Sequence, residues 1–141
     1  MSRFEIDLSL AVVLCDRAIA TAADDGALVS VAVVDAGGHL IAFQRMDGAE
    51  IAGPVLARDK AYTAVAHRCA THELTALVSP GADLAGMNSA DSGRYIAFAG
   101  GVPLWDGDRV VGGIGVSGGS ADQDRRSAES ALTRFVAEQG V

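Results

Sequence analysis

The chain has 141 residues, the usual size of one domain and enough to bury roughly two-thirds of its unfolded surface without disulfide or metal staples. Half of the residues are apolar and 21% are charged, which excludes a disordered tail, and no apolar run approaches the ~20 residues of a membrane span. Eighteen acidic residues against 11 basic ones give a net charge of −7, which argues against nucleic acid or an anionic membrane as the main partner.

Residues 6–25 read as an amphipathic helix, with Leu8, Ala11, Val12, Cys15, Ala18, Ile19 and Ala22 along one stripe. Leu10, Val13 and Leu14 widen that stripe and predict a second contact for this helix. Leu28–Asp35 and His39–Arg45 are β-prone runs joined by Ala36-Gly37-Gly38, a hairpin signal. After a loop over 46–53, Pro54 sits well at the first position of a helix that runs to 72 and extends toward 78. Residues 79–93 lack periodicity and read as a lid or mobile segment. Strands are expected at 94–99, 102–105 and 109–117, the last two turning at Asp106-Gly107-Asp108, before a closing helix over 121–138.

Short links between these elements favour antiparallel neighbours. The prediction is one domain over 1–141 of the α/β (α+β) class, a mostly antiparallel five-stranded sheet packed by helices. The abundance of Ala and Gly over aromatics leaves few large core anchors and favours a homo-oligomer. Cys15 and Cys69 lack zinc-type spacing, so both read as reduced structural residues. The first residues show no basic region followed by an apolar stretch, so the expected location is the cytoplasm.

Several residues are candidates for chemistry. The run Val110–Gly119 contains Gly112, Gly113, Gly115, Gly118 and Gly119 and leads into the last helix. Bare glycine backbone beside a helix start suits an anionic group, with Gly115, Ser117 and Gly118 as its contacts. The same glycines equally suit tight packing and a sharp turn. Gly100-Gly101 forms a second such bend. Arg45, Arg58 and Lys60 are cations suited to carboxylates, and Tyr62 shares a helical face with Arg58. His67 and His72 are five apart and make no i, i+4 metal pair, so no metal site is expected. His39, Glu50, Asp91 and Tyr95 are the acid–base candidates.

These residues meet a known pattern. Val33-Val34-Asp35-Ala36-Gly37-Gly38-His39-Leu40, Arg45-Met46-Asp47-Gly48-Ala49, Lys60-Ala61, Gly100-Gly101-Val102-Pro103-Leu104, Val110 to Gly118 and Asp122-Gln123-Asp124 resemble the GlcG/HbpS-like family, in order and across essentially the whole chain. The resemblance implies a profilin-like layered domain that forms dimers and higher assemblies up to octamers. It also implies haem as a cofactor or ligand in some members, and kinship with the C-terminal domain of PduO-type cobalamin adenosyltransferases. Haem-binding members place a histidine in or near the first helix, whereas residues 1–28 here contain none and Cys15 is the one soft ligand there.

Two readings follow. One is a small-ligand-binding module that holds haem or another carboxylate-bearing compound between sheet and second helix, with Lys60 and Arg45 on the carboxylates. The other is a catabolic isomerase, hydratase or lyase for a small organic acid or carbonyl compound.

Overall fold

The computed structural model describes residues 4–139. Helix α1 (Leu8–Asp24) leads into the hairpin β1 (Ser30–Asp35) and β2 (Leu40–Arg45), then helix α2 (Gly53–His67). Three short 3₁₀ turns lie between residues 71 and 93, followed by the hairpin β3 (Gly101–Asp106) and β4 (Arg109–Ser117) and by helix α3 (Ala121–Glu138). The strands form one antiparallel sheet in the order β2-β1-β4-β3. It is a mixed α/β layered fold, with four strands where five were expected.

Local chemistry sets the helix ends. Asp7 caps α1 by accepting from Leu10 N at 2.8 Å. Ser120 and Gln123 form a reciprocal capping box at the start of α3. Pro54 occupies the first turn of α2, as its fixed φ favours. That helix is shorter than predicted, because Arg68 turns left-handed at φ 53° and ends it.

Alternation along β4 separates two packing layers. Ile114 and Val116 enter the main core with Val31 and Val33 of β1, Leu14 and Cys15 of α1, and Phe135 of α3. Burial pushes the Cys15 thiol up to about 12, in keeping with an inert core residue. Gly113 and Gly115 face the other way, onto α2. A Cβ on Gly113 would lie 2.7 Å from the Ala61 carbonyl oxygen, and one on Gly115 would overlap that of Ala57. The wide stripe of α1 meets its second contact in α3: Leu14 is fully buried and Thr21 donates to Ser130 at 2.8 Å.

The segment 94–99 is not a strand. Its backbone is satisfied by threonine hydroxyls from the α2 side. Thr63 Oγ1 donates to Arg94 O at 3.0 Å and accepts from Ile96 N at 2.9 Å. Thr75 Oγ1 donates to Ala97 O at 2.6 Å, and Thr71 Oγ1 donates to Phe98 O at 2.7 Å while accepting from Gly101 N at 2.9 Å.

Candidate functional site

Lys60, in the middle of α2, is 1% exposed, an unusual burial for an ammonium. Its Nζ donates to Val116 O at 2.9 Å and to Asp124 Oδ2 at 3.2 Å, and lies 5.0 Å from the centre of the Phe98 ring. The other Asp124 oxygen accepts from Gly119 N at 2.9 Å. Desolvation pushes the Lys60 pKa below its ordinary value against the pull of Asp124, and desolvation also pushes the Asp124 carboxyl above its own. Glu50, exposed in the loop before α2, adds a weaker field that favours the charged lysine.

Five other sequence-predicted ligand contacts gather around this ion pair. A Cβ on Gly100 would lie 2.9 Å from Lys60 Nζ, and one on Gly101 would lie 2.7 Å from Thr71 Cγ2. Ser117 and Gly118 continue from Val116, and Gly118 takes φ +137° with the Leu28 carbonyl against it. The fully buried Gly115 is filled by the backbone of α2, so sheet and helix meet directly where a ligand cavity was expected. Lys60 directs two N–H groups into the protein and its third side toward Phe98.

Arg45, Arg58 and Tyr62 lie elsewhere, on the outer face shared by β2 and α2. There Leu40, Phe43, Pro54, Val55 and Arg58 line a shallow apolar groove of about 250 Å³. Arg45 stands on the same strand face as Phe43, two residues along. Tyr62 packs over Gly38, where a Cβ would lie 2.7 Å from its ring.

Tyr62 also anchors the segment after α2. Its hydroxyl donates to Asp91, which raises the Tyr62 pKa. The Arg94 guanidinium sits 3.6 Å above the Tyr62 ring and reaches Asp59 Oδ1 at 3.1 Å. Tyr95 stacks on Tyr62 with centroids 6.1 Å apart and meets His67 edge-on at 4.4 Å. His67 Nε2 and His72 Nδ1 are buried without a hydrogen-bond partner.

The four acid–base candidates therefore do not form one constellation. Asp91 and Tyr95 meet around Tyr62, Glu50 acts on Lys60 only through its field, and His39 lies at the far end of the sheet in a cleft with Arg109. Sequence reasoning missed Asp124, Phe98, Arg94 and Arg109 as site residues. Asp124 had a local signal, an acid in the first turn of a Ser-capped helix after Gly118-Gly119. Phe98 and Arg94 meet Lys60, Asp59 and Tyr62 only by long-range contacts, and Arg109 reaches Phe4 O across the chain besides its local neighbour Asp106.

No helix among the described residues is long and apolar enough to cross a membrane. Comparison with known proteins places this architecture. The chain is 45% identical over 104 residues to the corrinoid adenosyltransferase PduO of Citrobacter freundii, a match covering 74% of this chain but 31% of that longer protein. Among solved structures, Klebsiella pneumoniae protein ORFY superposes with a TM-score of 0.92 at 34% identity, covering 97% of this chain and 95% of that one. A PduOC:heme complex superposes with a TM-score of 0.89 at 38% identity, covering 92% and 94% respectively. The family model described as "Haem degrading protein HbpS-like" matches residues 6–133, and with the layered fold and these relatives it makes the chain a member of the HbpS-like family.

Proposed function

We propose that this protein binds haem on the outer face formed by β2 and α2. The observation that carries the reading is the likeness, at 38% identity over nearly the whole chain, to a structure named as a heme complex. The residues present suit such a group. Leu40, Phe43, Pro54 and Val55 offer a flat apolar surface, and Arg58 and Arg45 supply guanidinium donors for two propionates. The groove lining itself holds no histidine, and His67 Nε2 is buried with its ring edge-on to Tyr95, so an iron ligand on this face would come from outside the groove. Bound haem would supply redox and O₂ chemistry; the protein would supply the apolar wall and the propionate clamps.

Several copies are expected to assemble, which would cover exposed apolar residues such as Ile51 and Leu28.

The test is a haemin titration of the purified apoprotein followed by absorbance. A saturable, near-stoichiometric Soret shift is expected, weakened by Phe43→Asp and Arg58→Ala. Replacing His39, His67 and His72 one at a time identifies the ligand by the change in band position. A weak, unsaturable shift indifferent to all five substitutions sinks the proposal and moves the search to small organic acids.

A further inference from the structure

At the end of the sheet remote from Lys60, a cleft of about 270 Å³ opens between the β1–β2 turn and the segment preceding α1. It lies just below the usual range for drug-sized ligands. Ile6, Ile41 and Val111 give it an apolar floor. Groups of both signs surround that floor: Arg109 and His39 as donors, Asp35 and Glu5 as acceptors.

The polar groups are held in place by the fold. Asp35 Oδ1 accepts from Gly37 N at 2.9 Å and His39 N at 3.0 Å, so one carboxylate oxygen organises the turn while the other is left for a partner. The His39 ring lies over Gly37, where a Cβ would come within 2.9 Å of Cδ2, so glycine is what lets the imidazole rest there. Arg109 Nη2 donates to Phe4 O at 2.7 Å and lies 3.5 Å from Asp106 Oδ2. Those contacts strap the segment carrying Glu5 and Ile6 across the cleft and leave the Nε and Nη1 hydrogens as donors. Asp35 pairs with Gly112 across the β1–β4 ladder, three residues from Arg109 on the same strand.

A simple anion would satisfy Arg109 but face Asp35 and Glu5; a simple amine would meet the reverse conflict. We infer that this cleft binds a small zwitterion, an α-amino acid with an apolar side chain. Its carboxylate lies on Arg109, its ammonium on Asp35 with Glu5 at the rim, and its side chain on Ile6, Ile41 and Val111. The site is independent of the haem face, so either proposal stands or falls without the other.

The experiment is isothermal titration of the full chain with L-leucine, isovalerate and isoamylamine, together with amide chemical-shift mapping. L-Leucine should bind saturably and shift the Gly37 and His39 amides, while the analogue lacking either charge should bind at least tenfold more weakly. Asp35→Asn keeps an oxygen to accept from Gly37 and His39 but removes the charge, so it should fold normally and lose leucine by tenfold or more. Arg109→Lys should weaken binding and Arg109→Met should abolish it, with haemin titration unchanged in each folded variant. Failure of leucine to saturate at millimolar concentration overturns the proposal. Equal binding of leucine and isovalerate, or full affinity in Asp35→Asn, overturns the zwitterion assignment.

Discussion

Lys60 and Asp124 are expensive residues to bury, and the fold keeps both by turning them on each other, on the Val116 carbonyl and on the Gly119 amide. Removing one partner leaves an uncompensated charge in the interior, whereas removing both leaves a neutral site. Lys60→Met should therefore cost about 3–5 kcal/mol in urea unfolding, and Lys60→Met with Asp124→Leu should recover most of that loss. The pH dependence carries a defined sign. Desolvation lowers Lys60 from its ordinary 10.5, so between that lowered value and 10.5 the folded state holds fewer protons on it than the unfolded chain does. Stability contributed here should rise as pH climbs from the lowered value toward 10.5, and the rise should be absent in the double variant. A single variant as stable as the parent would show that the pair carries no such coupling.

At the scale of elements, the segment 94–101 shows how a hydrogen-bond ladder can be replaced by side chains. The hydroxyls of Thr63, Thr71 and Thr75 take over positions that a neighbouring strand would fill. Thr71→Val is nearly the same shape but leaves Gly101 N and Phe98 O without their partner, so it should cost about 1–3 kcal/mol and selectively speed amide exchange at Gly101. Unchanged exchange there would mean that the threonine row is dispensable. The same contacts explain what the sequence could and could not reveal. Both hairpins, α1 and α3 were legible from period, turn chemistry and caps, because those signals are local. Residues 94–99 were read as a strand because Tyr95, Ile96 and Phe98 have β-prone side chains, and nothing local says that threonines far back in the chain will claim their backbone. The second helix was read too long because its pattern continues past Arg68, whose left-handed turn is not encoded by a glycine. The candidate site divided in the same way: Lys60, Gly100, Gly101, Ser117 and Gly118 carried recognisable residue types, whereas Asp124 and Phe98 gained their roles by tertiary placement.

For the whole molecule, the question is what covers the apolar side chains that this chain leaves outside. The widened stripe of α1 does not answer it, since Leu14 is spent inside the fold and α3 takes the second contact. Ile51 is 92% exposed and Leu28 49% exposed, both near the N-terminal end of α2. A net charge of −7 keeps single copies apart at low salt, and screening lets such apolar contacts act. Light scattering at physiological salt should therefore give a mass that is a multiple of 14.4 kDa. Ile51→Asp, which alters a side chain with little to lose from the core, should shift the species toward the single-chain mass without lowering the thermal midpoint. A parent protein already at 14.4 kDa, or an Ile51→Asp variant that stays assembled, would remove this surface from the account. The same variant then separates two designs for the haem face. If it binds haemin as the parent does, Leu40, Phe43 and Val55 suffice within one chain. If affinity falls with assembly, the shallow groove of a single copy is half of a site that a second copy completes.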